Sequence, residues 1–293
     1  MSQAVLILAH KDFDQVYNLT QKLGTSFNVY IHFDKKMTFS DNQKEKLSES
    51  KNVTFISKYE VKWGSYSIVK ATLLLLRMAL DDSDNEYVHL ISGQDWPTKS
   101  SNDIYDYYVD QQDAFLNYYP ASEVKKTGEP LIWWMKYYFN YDAINRRSNF
   151  GKIYHRLLLL CQTIFRVDKL KKLGLKEDQI YSGQQWFDLP RDIVEYVLDE
   201  YDHNKTWERL FKNSFCSDEF WLPTILMSSK YKHRLNKAIH RYLVLEYRNG
   251  SRPAILDETD LEKIVSGDYF WARKIAPGIS DKLIQQLENF NES

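Results

Sequence analysis

The fold is decided near the start of the chain, where residues 4–10 read AVLILAH and residues 27–34 read FNVYIHFD. The first stretch is an unbroken apolar run and the second alternates in polarity, and both patterns predict β-strands. Between them, Val16, Leu19 and Leu23 have the spacing of one helix face. The order strand, helix, strand indicates a βαβ unit with parallel strands.

The same alternation continues to residue 97. The pattern predicts a helix over 42–48, a strand over 53–56, a helix over 66–80 and a strand over 87–91, followed by the turn SGQDWP at 92–97. Ligands of open parallel sheets bind beyond the carboxyl ends of the strands. Because His10, Asp34 and the turn that contains Asp95 follow such ends, we expect a ligand there.

The rest of the chain is less regular. Its patterns predict strands over 114–119, 180–189 and 242–247, an aromatic strand or loop over 133–141, and a long helix over 149–173. Further helices are expected over 192–201, from 217 towards 227, over 259–265 and up to about 289. Because no repeat, low-complexity tract or linker interrupts the sequence, we expect one α/β domain over residues 1–293.

The composition excludes several classes of protein. The 39 Lys and Arg nearly balance the 40 Asp and Glu, and the net charge of −1 excludes the uniformly basic surface of a nucleic-acid binder. Cys161 and Cys216 are too few for a disulfide scaffold or a cysteine-based zinc site. Aromatic residues make up 15% of the chain, which suits either a sugar-binding cleft or an aromatic-rich core.

Two features bear on location. The first ten residues lack a basic region, their apolar run is short for a secretion signal, and no apolar stretch reaches about 20 residues, so we expect a cytoplasmic protein. The segment 149–172 carries seven basic side chains: Lys152, His155, Arg156, Arg166, Lys169, Lys171 and Lys172. Such a segment is typical either of a helix packed on the body with its charges in water or of one that lies on an anionic membrane.

Common catalytic motifs are missing. The sequence lacks GxGxxG after the first strand, GxxxxGK[ST], HExxH and GxSxG, which argues against dinucleotide, P-loop, zinc-protease and serine-hydrolase chemistry. It also lacks a strand followed by Asp-x-Asp in mid-sequence, the usual metal clamp of nucleotide-sugar enzymes, because the acidic run at 81–84 lies in a polar helix end.

Asp218 and Glu219 are the best acid–base candidates. Ser217 is expected to be the N-cap of the following helix, which places both carboxylates in its first turn, where acids stabilise a helix whatever its function. The helix dipole lowers a carboxyl pKa, whereas a general base needs a pKa near the working pH. Burial against Phe220 or Trp221 would raise the pKa again.

Three cations are candidates for binding an anion. Arg252 lies in a loop between Gly250 and Pro253, and Arg273 and Lys274 close an aromatic run. Each alone also fits an ordinary surface charge. If they converge, they could hold a diphosphate and stabilise it as a leaving group.

Seven sequence blocks, in order from residue 6 to about 275, resemble the core-2/I-branching β-1,6-N-acetylglucosaminyltransferases and the peptide O-xylosyltransferases of glycosyltransferase family 14. The blocks are LAHK (8–11), YIHFDKK (30–36), WGSYSIV (63–69), LISGQDWP (90–97), YSGQQWF (181–187), SDEFW (217–221) and FWARK (270–274). The resemblance implies a GT-A type fold, with a nucleotide-binding half over 1–120 and an acceptor-binding and catalytic half over 121–293.

The resemblance also implies an inverting, metal-independent glycosyltransferase that uses a UDP-sugar and no cofactor. Glu219 matches the catalytic base. The positions that match donor-binding residues are His10, Asp34, Trp63, Asp95, Arg252 and Lys274, the last two as cations on the diphosphate. Weaker acceptor-binding expectations fall on Ser182, Gly183, Trp186 and Asp218, and the candidates for stacking on acceptor sugars are Trp133, Trp134 and Trp186.

The sequence departs from the animal enzymes, which carry a membrane anchor, a stem and several disulfides, so we expect a compact bacterial-type member. The segment 122–178 matches nothing in the family and leaves the acceptor open. The expected partners are a UDP-sugar, with GlcNAc before xylose, and an oligosaccharide or lipid-linked glycan of a surface polysaccharide. We also expect that residues 149–172 contact the inner face of the cell membrane peripherally. No nucleic-acid partner is expected.

Two other functions would use some of the same residues. One is a catalytically silent protein that binds a sugar nucleotide or glycan on the same fold, although an intact Glu219, Arg252 and Lys274 argue against it. The other is a glycoside hydrolase, which needs two carboxyl groups about 5–10 Å apart across the scissile bond. Adjacent Asp218 and Glu219 on one helical turn point to different sides and do not meet that need.

Overall fold

The computed structural model describes residues 1–126 and 128–292. The strands are β1 (Ser2–Ala9), β2 (Asn28–Phe33), β3 (Val53–Ile56), β4 (Asn85–Ser92), β5 (Asp95–Pro97), β6 (Ala114–Leu116), β7 (Tyr119–Pro120), β8 (Lys125–Lys126), β9 (Glu129–Pro130), β10 (Tyr181–Ser182), β11 (Phe187–Pro190), β12 (Leu235–Asn236), β13 (Arg241–Leu243) and β14 (Trp271–Arg273). The helices are α1 (Phe13–Leu23), α2 (Asp41–Ser48), α3 (Ser67–Leu80), α4 (Ser101–Tyr108), α5 (Trp133–Lys136), α6 (Asn149–Ile164), α7 (Lys169–Lys172), α8 (Arg191–His203), α9 (Lys205–Lys212), α10 (Trp221–Met227), α11 (Leu261–Val265) and α12 (Asp281–Glu292).

A mixed, mainly parallel sheet forms the centre. Its strand order among the described residues is β12-β6-β11-β4-β1-β2-β3, in which β3, β2, β1 and β4 run parallel and β11 runs antiparallel to both of its neighbours. A smaller sheet has the order β13-β14-β5. The predicted α/β class, with a mainly parallel sheet flanked by helices, is confirmed. The division of the domain at residue 120 stays a prediction.

The sheet separates two hydrophobic cores. Alternate residues of β1 point to opposite faces, so Ala4 and Leu6 pack in one core and Val5 and Ile7 in the other. The first core, here the base-side core, also contains Phe220. The second, here the cation-side core, contains Trp271 and Ala272 of β14 and Ile275.

A buried charged cluster joins the small sheet to the large one. Arg241 of β13 donates to both carboxylate oxygens of Asp188 in β11, at 2.7 and 2.9 Å, and to the carbonyls of Leu90 and Phe187 at 3.1 and 3.0 Å. His89 of β4 contacts the same carboxylate at 2.9 Å. The charge of Arg241 and the hydrogen bond from His89 outweigh burial and lower the pKa of Asp188 to about 2.

The structure corrects three of the sequence expectations. Residues 133–141 begin as the helical turn α5 instead of a strand or loop, with Trp134 and Met135 buried. The helix expected over 149–173 is two helices, because Arg166 adopts a left-handed backbone with φ 49° and Asp168 caps α7. The strand expected over 180–189 is interrupted between β10 and β11.

The division into α6 and α7 also changes the basic face expected over 149–172. His155 is buried and contacts Glu129, and Lys169 is buried with its ammonium on the carbonyl of Leu210. Neither side chain can lie on a membrane surface in this structure. Within the described ranges, no helix combines the length and the apolarity that crossing a bilayer requires.

Candidate active site

The first group of predicted residues lies at the carboxyl edge of the central sheet. His10 follows β1 and Asp34 follows β2, and the Asp34 amide donates to the last carbonyl of β1. The Asp34 carboxylate is buried, accepts from the Lys36 amide at 2.9 Å and lies 3.5 Å from the Lys36 ammonium. Partial burial and the charge of Lys11 lower the pKa of His10, with a smaller contribution from Lys274. His10 and Lys274 therefore lie within electrostatic reach of each other.

Lys274 follows β14 and is half-buried near this edge. Its ammonium lies 3.3 Å from the hydroxyl of Ser251. Burial lowers the pKa of Lys274, and the positive charges of Arg273, Arg147 and Lys11 lower it further. Four cations therefore crowd into one region, where an anionic ligand would relieve their repulsion.

Lys11 and Arg147 were missed as site residues in the sequence. Lys11 is the last residue of the LAHK block at the end of β1, so a signal for it existed. Arg147 lies before α6 in the segment without family motifs, and no local pattern distinguishes it. The chain brings it to Lys274 only through tertiary folding.

Arg252 is exposed and makes its side-chain contact within its own loop instead of with the cation group. Its Nε donates to the carbonyl of Leu245 at 3.1 Å, within the same loop. The neighbouring Ser251 supplies the hydroxyl that contacts Lys274. The loop of Arg252 is thus attached to the cation group, while the role of its guanidinium on a diphosphate stays a prediction.

Asp95 is buried beside Arg273 instead of lying open in the cleft. Its carboxylate accepts from the Ser92 amide at 2.7 Å and the Ser92 hydroxyl at 3.1 Å, and it lies 3.5 Å from Nε of Arg273. The Arg273 guanidinium lies 4.0 Å from the ring centroid of Trp186. Asp95 and Trp186 therefore hold Arg273 between them, next to Lys274. Direct sugar contacts by Asp95 and Trp186 stay predictions.

Glu219 lies in the 3-10 turn Ser217–Glu219 that precedes α10. Its Oε2 accepts from the Lys126 ammonium at 2.7 Å, and a quarter of its side chain is exposed. The Glu219 carbonyl accepts from the Gly183 amide at 2.8 Å. Glu219 is thus fixed by its backbone and still reaches solvent with its carboxylate.

Asp218 differs from its neighbour in environment. It is buried, and its Oδ1 has no hydrogen-bond partner among the described residues. Burial, and secondarily the negative charge of Glu219, raises the pKa of Asp218 to about 7. One of two adjacent carboxyl groups is therefore held near neutral, the pattern that separates acid and base roles in enzymes.

The expected N-cap role of Ser217 is wrong. Its hydroxyl instead donates to the carbonyl of Phe211, and Cys216 precedes the turn with a left-handed φ of 50°. Asp218 and Glu219 therefore lie in a separate 3-10 turn and not in the first turn of α10. The helix-dipole argument made from the sequence does not apply to them.

Ser182 and Gly183 bring the chain beneath Glu219. Ser182 is fully buried in β10. A Cβ on Gly183 would lie 1.8 Å from the carbonyl oxygen of Asn117, so only glycine fits this approach. The close approach explains why position 183 needs a glycine, and acceptor contacts by Ser182 and Gly183 stay predictions.

Of the tryptophans expected to stack on sugars, Trp134 is buried. Its indole nitrogen donates to Glu129 at 2.5 Å and its ring lies 4.4 Å from that of Phe215. The expectation for Trp134 is wrong because its faces pack in the base-side core. Trp133 is half-buried, at 5.5 Å from the ring of Tyr137.

Trp63 links the cation group to the base from the other side. Its ring is 48% exposed and lies 4.7 Å from the Arg147 guanidinium. The carbonyl of Gly64 accepts from the Cys216 amide at 2.9 Å, three residues before Glu219. Trp63 therefore contacts Arg147 of the cation group, while the next residue, Gly64, contacts the segment that leads to Glu219.

No group of three or more His, Cys, Asp or Glu that could hold a metal occurs in the part of the chain that the structure describes. Independence from metal stays a prediction.

Three solved structures are similar to this chain at low identity. Core-mannan synthase A from Aspergillus fumigatus, in a Mn/GDP form, shares 9% identity with a TM-score of 0.39, over 81% of this chain and 73% of its own. The galactosyltransferase LgtC, in complex with donor and acceptor sugar analogues, shares 9% with a TM-score of 0.44, over 99% and 94%. The bifunctional glycosyltransferase WbbM, in its apo form, shares 12% with a TM-score of 0.40, over 98% and 50%.

No curated protein matches the chain in sequence. The sequence profile of the Core-2/I-Branching enzyme family, in contrast, matches residues 6–264. This match spans most of the chain and includes Lys11, Arg147 and the turn of Glu219, and it ends before Arg273 and Lys274. The chain belongs to the Core-2/I-Branching enzyme family and is a glycosyltransferase.

Proposed function

We propose that this protein is an inverting, metal-independent glycosyltransferase that transfers a sugar from a UDP-sugar to a glycan hydroxyl and forms a β-linkage. GlcNAc is the proposed sugar before xylose, and surface polysaccharide synthesis the proposed process. The observation that carries the proposal is the crowding of Lys274 with Arg273, Arg147 and Lys11 at the carboxyl edge of the sheet.

The cation group supports binding of a nucleoside diphosphate. Burial lowers the pKa of Lys274 and so marks a site where a positive charge is costly without a counter-charge. A diphosphate supplies that charge, and its negative charge grows as the sugar bond breaks. Preorganised cations stabilise such a leaving group without rearrangement.

The nucleoside would lie along the same edge. Partly exposed Trp63 offers a ring face, and His10 and Asp34 follow the ends of β1 and β2. The Asp34 carboxylate is already engaged by the Lys36 amide, so its proposed part in binding ribose requires the acceptor capacity of its second oxygen.

Glu219 is the proposed general base. Its carboxylate takes the proton of an acceptor hydroxyl while that oxygen attacks the anomeric carbon, and the bond to UDP breaks on the opposite face. Asp218, whose pKa burial raises to about 7, carries a proton for much of the time near neutral pH.

The decisive experiment is calorimetric titration with UDP in excess EDTA. We expect wild type to bind, Lys274→Ala to lose at least tenfold in affinity, and the exposed-lysine control Lys51→Ala to bind like wild type. Binding that appears only with Mn²⁺ would overturn metal independence. An absence of UDP binding in every condition would favour the silent glycan-binding alternative.

A second experiment separates catalysis from binding. Glu219→Gln preserves the shape of the side chain but cannot accept a proton, so we expect UDP affinity within twofold of wild type and sugar transfer lowered by 10²–10⁴. The exposed Glu262→Gln serves as the matched control. Unchanged transfer by Glu219→Gln, measured with UDP-GlcNAc and UDP-xylose, would remove Glu219 from the mechanism.

We also propose that the enzyme works on the inner face of the cell membrane, on a lipid-linked glycan. Helix α6 supports this location with an apolar stripe of heptad spacing, 57–66% exposed: Phe150, Ile153, Leu157, Leu160 and Ile164. Helix α6 itself carries Lys152 and Arg156 and no Asp or Glu. An exposed apolar stripe among positive charges alone is complementary to an anionic bilayer.

Vesicle sedimentation tests this location. We expect binding to phosphatidylglycerol vesicles and little to phosphatidylcholine vesicles, and loss of binding in Ile153→Gln with Leu157→Gln. Val109→Gln, also an exposed apolar residue, is the control. If the double variant binds vesicles like wild type, the stripe does not bind the membrane. The same holds if ultracentrifugation detects a wild-type dimer that dissociates in the double variant.

A further inference from the structure

A basic pocket of about 530 Å³ lies outside the group of Lys274. It opens beyond the carboxyl ends of β2 and β3, against the start of α3. The residues that matter to its chemistry are Lys35, Lys36, Lys58, Tyr59, Lys62 and Lys70. Glu60 and Asp142 are the acidic residues that also line it, so the lining is positive overall.

Two of the lysines are already engaged. The Lys36 ammonium donates to the carbonyl of Val61 at 2.7 Å and lies 3.5 Å from the Asp34 carboxylate. The Lys62 ammonium donates to the carbonyl of Asp142 at 2.6 Å and lies 3.8 Å from Glu60. These contacts fix two walls of the pocket and place the Glu60 carboxylate beside Lys62.

The other three lysines are not held by the contacts just described and are available to a ligand. The ammonium groups of Lys58 and Lys70 lie 5.5 and 5.3 Å from the ring centroid of Tyr59. In the described residues, no carboxylate lies within ion-pair distance of Lys35, Lys58 or Lys70. The half-buried Tyr59 ring is held by a stacked contact with His32 and by the donation of its amide to that imidazole at 3.1 Å.

We propose that this pocket binds a phosphate group, at a site separate from the diphosphate of the donor. Several ammonium groups around one space suit the multiple oxygens of a phosphate, for which lysine is a common ligand. The position beyond two parallel strand ends is where open α/β sheets receive ligands.

The pocket and the donor cations are distinct in the structure. Lys11, Arg147, Arg273 and Lys274 do not line the pocket, and Asp34 lies between the two groups, within reach of His10 on one side and bound to Lys36 on the other. The phosphate could come from an acceptor glycan or its lipid carrier, which rests on the proposed function, or from a free phosphorylated molecule.

The test is titration of inorganic pyrophosphate into protein whose donor site is saturated with UDP. We expect one further binding event, weakened at least tenfold in Lys58→Gln with Lys70→Gln and unchanged in the control Lys46→Gln with Lys51→Gln. UDP affinity should stay within twofold of wild type in both. Absence of the second event in wild type would overturn the proposal.

Two further results keep this proposal separate from the glycosyltransferase proposal. If Lys58→Gln with Lys70→Gln weakens UDP as strongly as pyrophosphate, the pocket is part of the donor site and the proposal fails. If UDP does not bind wild type at all, the donor proposal fails, and the pyrophosphate titration still tests the pocket in Lys274→Ala. If a short-chain polyprenyl diphosphate binds tenfold more tightly than pyrophosphate, the site belongs to a lipid-linked acceptor. If the two bind with equal affinity, the site belongs to a free phosphorylated molecule.

Discussion

Replacement of Arg241 by Met is the sharpest test of how the two sheets are held together. The side chain is 1% exposed and forms paired hydrogen bonds with the fully buried Asp188. Removing one member of such a pair leaves the other charge buried without compensation, at a cost of about 3–5 kcal/mol. The native pKa of Asp188, about 2 against a usual 3.8, gives an independent figure of about 2.5 kcal/mol for its favourable interactions at neutral pH.

The assay is urea unfolding between pH 3 and 8. In wild type, the contribution of Asp188 is complete above its unfolded-state pKa and is lost as the pH falls towards 2, because the folded-state pKa is the lower one. In Arg241→Met, burial dominates and the folded-state pKa rises above 3.8. The variant should therefore lose stability as the pH rises above 4, where wild type does not.

The double variant Asp188→Leu with Arg241→Met supplies the control. It removes both charges, so it should recover at least half of the loss, although the carbonyls of Leu90 and Phe187 each lose a donor. The reasoning is refuted if the single variant costs less than 1 kcal/mol or if the double variant is no more stable than the single one. Because β13 pairs with β14, the single variant should also bind UDP more weakly.

Two other predictions concern the turn of Glu219. Asp218→Asn should stabilise the protein by about 2–4 kcal/mol above pH 7 and by little near pH 4. The raised pKa of Asp218 makes wild type lose stability as the pH rises between those values, and asparagine has no proton to lose. A stabilisation that does not depend on pH in urea unfolding would contradict this. Gly183→Ala should lower the free energy of unfolding by about 1–3 kcal/mol, because its Cβ clashes with Asn117. It should also lower sugar transfer more than UDP affinity, since the Gly183 amide holds the Glu219 carbonyl. Equal losses of transfer and UDP affinity, with Gly267→Ala as the comparison, would count against that positioning role.

The strands of the first third could be predicted because their signals are local. The expected strand over 53–56 coincides with β3, and the apolar run at 4–9 lies within β1. The later errors arise where distant residues intervene. The segment 180–189 is broken after Ser182, where Gly183 passes against the carbonyl of Asn117, a contact that no period in the sequence reveals.

The candidate site could be predicted in part. Sequence blocks brought out His10, Asp34, Glu219 and Lys274, because each lies in a motif at the end of a predicted element. Lys126 could not be found in this way, since its contact with Glu219 joins residues 93 positions apart. The burial that raises the pKa of Asp218 could not be predicted either, because it depends on how the 3-10 turn packs and not on the neighbouring residues in sequence.

The sheet also divides the site between two independently packed interiors. The turn of Glu219 rests on the base-side core through Phe220, whereas Lys274 extends from β14, whose Trp271 and Ala272 belong to the cation-side core. Substitutions that repack one interior leave the packing of the other largely unchanged. Under the proposed function, substitutions in the base-side core can change the acceptor preference during evolution while the nucleotide specificity is inherited intact.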